Sequence, residues 1–199
     1  LNGVLAMGDL ASVTLYWGDN DGGTNAADWD TAISLGDAHE DIPFSVNISG
    51  LLAGVTYSYR CYATNDSLLA DDWSDATVSF TTPQARLSIG DAVVTEGDTG
   101  MVDVVFILTL SAINTTDSVV DFAALDGVAT AGEDYVATNG TLRIPAGQTS
   151  GQIVVTVIGD EVSEFPSETF SVSLDNPTGC VLADVSAVGT IVDDDAGEH

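Results

Sequence analysis

Short runs of β-branched and aromatic residues, alternating apolar and polar, recur along this chain between Gly, Asn and Asp. No other feature constrains the fold as much. Successive side chains on a strand point to opposite faces, so period-two alternation marks strands with one buried face. Such runs lie at 12–17, 56–62, 77–81, 102–110, 118–123, 141–144, 152–158, 169–174 and 187–192. Almost nothing has the three-to-four spacing of a helix. Many short strands separated by turn residues predict an all-β chain of two tandem antiparallel Greek-key β-sandwiches of the immunoglobulin-like type. At Thr82-Pro83-Gln84-Ala85 a finished strand gives way at once to Arg86-Leu87-Ser88-Ile89. The expected domains are therefore 1–83 and 84–199.

Charge narrows the function. There are 31 acidic residues against three Arg (Arg60, Arg86 and Arg143) and no Lys, a formal net charge of −28. Phosphate backbones are bound by clustered Lys and Arg, so nucleic acid is not an expected partner. Anionic lipid is disfavoured for the same reason, and no apolar run approaches the roughly 18 residues of a membrane span, so no membrane insertion is expected. Hydrophobic residues make up 45% of the chain, more than an acidic disordered chain carries, so a folded core is expected beneath a charged surface. Self-repulsion destabilises such a surface, and bound divalent cations relieve it. The two cysteines, Cys61 and Cys180, fall in different halves and read as small buried hydrophobes. The chain begins at Leu1, not Met, which implies that an upstream piece has been removed or left out.

The carboxylates are placed where a cation could use them. Thr190-Ile191-Val192 runs straight into Asp193-Asp194-Asp195, three adjacent acids with little room to separate. Calcium, which takes six to eight hard oxygen ligands at about 2.3–2.6 Å and tolerates irregular geometry, suits loop-borne carboxylates better than magnesium does. In a sandwich, loops far apart in sequence meet at one end. Asp19-Asn20-Asp21-Gly22-Gly23 resembles the start of a calcium loop, but its residues are equally those of a tight turn. No nucleophile–base pair, zinc-ligand spacing or phosphate loop is evident. His39, in an Asp/Glu-rich loop, and His199 have no companion that suggests a zinc site, and the reading is non-catalytic.

Two families are resembled. Leu51-Leu52-Ala53-Gly54-Val55-Thr56-Tyr57, with a strand after it, resembles the corner of fibronectin type III domains. The resemblance implies that Tyr57 is the corner tyrosine, its hydroxyl bonded to backbone upstream. It also implies that Leu1-Asn2-Gly3-Val4-Leu5-Ala6 is the second strand, so that residues 1–83 lack the first and carry an open edge.

The second half carries four motifs in order. They are Val93-Val94-Thr95-Glu96-Gly97; Asp126-Gly127-Val128-Ala129-Thr130-Ala131-Gly132-Glu133-Asp134-Tyr135; Ile158-Gly159-Asp160-Glu161-Val162-Ser163-Glu164-Phe165-Pro166-Ser167-Glu168-Thr169-Phe170; and Ile191-Val192-Asp193-Asp194-Asp195. Together they resemble the Calx-beta domain, the calcium-binding sandwich of sodium–calcium exchangers and many bacterial surface proteins. The resemblance implies calcium as cofactor, with Glu96, Asp126, Asp160, Glu164, Glu168, Asp193, Asp194 and Asp195 as ligands. Glu161 is a weaker candidate, and Asp134 either caps a turn or joins the site. Gly159 stands where some exchanger-type domains carry an Asp, and one extra residue lies between Glu164 and Glu168. One or two ions are expected.

The functional expectation is a non-catalytic, calcium-stabilised, extracellular or cell-surface protein, a structural or adhesive segment that self-associates into a fibre or joins neighbouring domains of a longer chain. Two alternatives stand beside it. One is a calcium-sensing regulatory module of a larger protein. The other is a carbohydrate-binding accessory module using Trp29 or Trp73. Four Asn-x-Ser/Thr sequons, at Asn47, Asn65, Asn114 and Asn139, are candidate glycan sites.

Overall fold

The computed structural model describes residues 1–5, 10–65, 70–164 and 167–195. The chain divides into two compact units, Leu1–Pro83 and Gln84–His199. The described structure is strand, turn and loop, with one 3-10 turn at Ala26–Asp28. Phe165, Pro166 and His199, and Asp66 and Ser67 of the Asn65 sequon, lie outside the described residues.

The first unit contains β1 (Asn2–Val4), β2 (Ala11–Gly18), β3 (Thr31–Ala38), β4 (Pro43–Ser45), β5 (Thr56–Asn65), β6 (Ala70–Trp73) and β7 (Val78–Thr81). One sheet runs β3-β2-β5-β6, with β7 also paired to β5. In β2 the alternation is realised directly, with Ala11, Val13 and Leu15 buried. β1 pairs with β4 in a separate two-stranded sheet. The corner expected at Tyr57 is made: the Leu52 backbone N–H donates to the Tyr57 hydroxyl at 3.0 Å. The Tyr57 ring packs between Trp17 and Phe80, with centroids 5.7 Å and 5.9 Å away. Trp29 is buried over Gly22, where a Cβ would come within 2.6 Å of the indole, and its Nε1 donates to the Gly23 carbonyl. That removes Trp29 as a surface binding aromatic. The Asp19–Gly23 segment behaves as a turn: Asp21 accepts from the Gly23 N–H and the Thr77 hydroxyl.

The second unit is a sandwich of two sheets. Its strands are β8 (Arg86–Ile89), β9 (Ala92–Thr95), β10 (Gly100–Leu110), β11 (Ser118–Leu125), β12 (Asn139–Ile144), β13 (Ser150–Gly159), β14 (Ser167–Thr178), β15 (Val181–Leu182) and β16 (Ser186–Val192). One sheet is ordered β13-β10-β8-β15, the other β12-β11-β14-β16-β9. Every second residue of β10 (Val104, Phe106, Leu108 and Leu110) points inward and is buried, as do Ile153, Val155 and Val157 of β13. Phe170, Val172 and Leu174 of β14 meet them from the facing sheet. Tyr135, Phe170 and Phe106 form an aromatic column across this core. Cys61 and Cys180 are free thiols.

Sheet order sends four chain segments to one end. Parallel pairing of β16 with β9 sets Val192 beside Thr95. Antiparallel pairing of β14 with β16 sets Ser167 beside Val192. In the other sheet Gly100 faces Gly159. A bridge from Tyr135 to Val157, with the Ile158 N–H donating to the Asp134 carbonyl, brings the segment between β11 and β12 to the same end.

Candidate calcium site

Those segments carry the acidic motifs. Glu96 follows β9, Asp134 lies between β11 and β12, Asp160 and Glu164 follow β13, Glu168 is the second residue of β14, and Asp193 to Asp195 follow β16. Two groups of carboxylates form. In the first, one oxygen from each of Glu96, Asp193 and Asp195 lies within 4.8 Å of the others; Asp134, Glu164 and Glu168 make a second group by the same measure. Asp160 adjoins both, its charge acting on Glu96 and on Glu164.

Backbone hydrogen bonds hold the loops in place. The Glu96 N–H donates to the Val192 carbonyl, and the Gly97 N–H to Asp194 Oδ1 at 2.9 Å. Asp193 accepts from the Asp195 N–H on Oδ1 and from the Glu164 N–H on Oδ2, both at 2.7 Å. It thereby ties the segment after β16 to the loop after β13. Asp160 accepts from the Val162 N–H, and Asp134 Oδ2 from the Thr130 N–H at 2.6 Å.

Electrostatics leaves this tip under strain. Burial, then the charges of Glu164, Asp160, Asp193 and Asp195, push the Glu96 carboxyl up to about 7. Burial, then Asp134 and Glu164, push Glu168 up to about 7. Burial and neighbouring acids also raise Glu164 and Asp195. Among the described residues no Arg acts on these four carboxyls; Arg143 pairs with Asp117. Three buried carboxylate oxygens in the cluster, Glu96 Oε1, Glu168 Oε2 and Asp195 Oδ2, have no hydrogen-bond partner. An unpaired buried acceptor is unfavourable, the more so when charged. All-oxygen, acceptor-only groups from several loops are the donor set that calcium takes, so the residues fit that ion.

Of the eight residues named from sequence, Glu96, Glu164, Glu168, Asp193 and Asp195 fall in the two groups and Asp160 borders them. Asp126 and Asp194 fall outside. Asp126 Oδ1 accepts from the Ala131 N–H and the Tyr135 hydroxyl, which hold its carboxyl below the usual range. Asp194 takes the Gly97 amide. Asp134, left between two roles by sequence, has both: it caps the Thr130 turn and joins the second group while buried. A usable signal was its place directly before Tyr135, whose ring the core must bury. Period-two alternation beyond Val192 would likewise have put Asp193 and Asp195 together and Asp194 apart. Glu161 is exposed and in neither group.

An all-β sandwich whose tip gathers carboxylates without counter-charges defines a calcium-binding β-sandwich module. The sequence model of the Calx-beta domain matches residues 74–195, and the chain belongs to that family, whose domains bind calcium. The match starts ahead of the second unit, yet Val78–Thr81 pairs with β5 and belongs to the first. Among solved structures the chain is similar to an apo-form Calx CBD1 domain, at 29% identity over 56% of this chain and 99% of that one, TM-score 0.48. It is also similar to CBD12 from CALX1.2, at 31% identity over 55% of this chain and 46% of that one, TM-score 0.49. A Calx CBD2 domain shares 12% identity over 55% of this chain and 86% of that one, TM-score 0.47. The chain thus spans less than half of the CBD12 structure. No curated protein matches significantly.

One sequon reading changes with the structure. Asn114 is buried, and its Nδ2 donates to Ser118 Oγ at 2.6 Å and the Gly179 carbonyl at 2.7 Å. That nitrogen is the atom a glycan needs, so the Asn114 sequon is closed in the folded chain. Asn47 and Asn139 are exposed. No described helix is long and apolar enough to cross a membrane.

Proposed function

We propose that the second unit is a calcium-sensing regulatory module of a longer protein, with Glu96, Asp134, Asp160, Glu164, Glu168, Asp193 and Asp195 as its ligand set. The observation that carries this reading is the trio of buried, donorless carboxylate oxygens on Glu96, Glu168 and Asp195, which come from three separate segments. Bound calcium supplies hard positive charge to these oxygens. In its absence Glu96 and Glu168 retain protons near neutrality, and the remaining acids repel one another across the tip. Asp193 and Asp195 lie directly after the last strand, so a change in how tightly they are held is felt by whatever chain follows. The same tip thus senses and transmits.

Calorimetric titration of calcium into chelator-treated protein tests this reading, beside small-angle scattering with and without the ion. A dissociation constant of roughly 10⁻⁷–10⁻⁵ M is the range of sensors. Absence of binding heat, with a melting temperature indifferent to EGTA, sinks it.

A structural or adhesive role outside the cell is the second reading, favoured by the first unit. The Tyr57 corner and the pairing of β1 with β4 beside a larger sheet suit a fibronectin-type-III-like domain. Each strand of that small sheet pairs on one side only among the described residues. Such edges accept an added strand, from a second copy or a neighbouring domain. Exposed Asn47 and Asn139 are its glycan candidates. This reading expects weak calcium binding, about 10⁻⁴–10⁻³ M as in extracellular modules, and calcium-dependent polymers by sedimentation.

A further inference from the structure

Asp126 opens the acidic segment between β11 and β12, yet its charge is absent from those that raise Glu96, Glu164, Glu168 and Asp195. Its Oδ1 instead accepts two bonds from further along the same segment, the Ala131 N–H at 2.9 Å and the Tyr135 hydroxyl at 2.6 Å. Tyr135 is fully buried, and its ring stacks on Phe170 with centroids 4.5 Å apart and planes 19° from parallel. Phe170 meets Phe106 edge-on at 5.9 Å. Asp126 therefore fastens the segment to the aromatic column of the core.

What the segment presents is Asp134, the residue next to Tyr135. Its backbone is fixed on both sides, with its N–H donating to the Thr130 carbonyl and its own carbonyl accepting from Ile158. A close approach pins the start of the segment too: a Cβ on Gly127 would lie 2.3 Å from the Thr169 carbonyl oxygen. With both ends pinned, the direction in which Asp134 faces the cluster depends on the span 127–133. The Asp126 bonds to Ala131 and Tyr135 fold that span back on its own start.

We propose that Asp126 is a positioning residue and not a ligand: through the Tyr135 hydroxyl and the Ala131 amide it holds the turn that presents Asp134 to Glu164 and Glu168. The consequence for affinity rests on the calcium reading above. The consequence for the metal-free chain does not.

Three variants of the full chain decide the matter: Asp126→Ala, Asp126→Asn and Tyr135→Phe. Asn keeps the Oδ1 acceptor and loses the charge, whereas Phe keeps the ring and loses the hydroxyl. Backbone hydrogen exchange over 127–134, measured in EGTA, is expected to rise in Asp126→Ala and Tyr135→Phe and to stay near wild type in Asp126→Asn. Calcium affinity should fall about 10–100-fold in the first two, the cost of losing an outer-shell partner, and change little in Asp126→Asn. If Asp126→Asn loses as much affinity as Asp126→Ala while exchange is unchanged, Asp126 is a ligand and the proposal is overturned. Unaltered exchange and affinity in Tyr135→Phe also overturns it. If Asp126→Ala does not fold, the other two still discriminate. Should the wild-type chain bind no calcium, the function proposed above fails on its own, and the exchange measurements still judge the positioning role.

Discussion

Gly159 lies so close beneath the Glu96–Gly97 peptide that a Cβ on it would stand 2.1 Å from the Gly97 carbonyl oxygen and 2.8 Å from that of Glu96. The position that reads from sequence as a lost acidic ligand is thus filled by the backbone of the loop bearing another. Gly159→Asp is expected to add no ligand. It should displace the Glu96 loop, destabilise the unit by about 1–3 kcal/mol as overpacking does, and weaken calcium binding. Denaturant unfolding and calorimetry on the purified variant check both effects, and a gain in affinity would refute the packing argument.

Calcium removal should lower the melting temperature. An ion at one hundred times its dissociation constant stabilises the folded state by about 2.7 kcal/mol. For a unit of this size that is on the order of 10 °C. Differential scanning calorimetry in calcium and then in EGTA measures it. The endotherm of the first unit, which contributes none of these carboxylates, should not move.

Without metal, stability should fall as pH rises. Glu96 and Glu168 sit at about 7 in the folded chain, above the 4.5 of an ordinary Glu. The folded state therefore binds more protons than the unfolded state between those values. Its stabilisation is full below about 4.5 and is lost as pH rises through about 7. In EGTA the melting temperature of the second unit is expected to be higher near pH 5 than near pH 8. With calcium present the trend should flatten or reverse, because the ion and the protons compete for the same oxygens.

Glu96→Gln should act with opposite signs in the two states. It removes a buried charge that Glu164, Asp160, Asp193 and Asp195 all oppose, so the metal-free chain should melt higher at pH 8. It also removes a charged ligand, so calcium affinity should fall about tenfold or more. Melting and titration of one preparation test both. Lower stability in EGTA would contradict the repulsion described for this tip.

Asn114→Ala is expected to cost about 1 kcal/mol or more, because it removes two hydrogen bonds from a buried side chain, one to the buried Ser118 hydroxyl and one to the Gly179 carbonyl. Chemical denaturation reads the loss. Mass spectrometry of glycosylation-competent material should find Asn47 or Asn139 modified before Asn114.

The strands were largely legible because their signal is local. Arg86–Ile89 occurs as read, the run at 77–81 loses one residue to become Val78–Thr81, and the remaining runs extend by a few residues, as β14 does from 169–174 to Ser167–Thr178. The extra length comes from Ser167 and Glu168, which pair with β16, and from Asp, Asn, Pro and Thr at 175–178, which carry no apolar alternation and are strand because β11 offers partners to Asp175 and Thr178. Tyr57 was legible too, since its corner closes within a few residues of itself. Trp29 was not. A Trp among polar residues reads equally as lid or binding aromatic, and its burial depends on Gly22 leaving space beneath the ring.

By itself, the sequence determined that this chain is nearly all β and that acids without counter-charges cluster in the loops of its second half. Alternation and composition act residue by residue and need no partner. Only the tertiary structure decided which carboxylates meet: Asp134 joins Glu164 and Glu168, whereas Asp126 and Asp194 turn to backbone amides and a hydroxyl. The reason is that a carboxylate takes whichever donor lies nearest, and those donors are set by pairings such as Thr95 with Val192 and Tyr135 with Val157, between segments far apart in the chain.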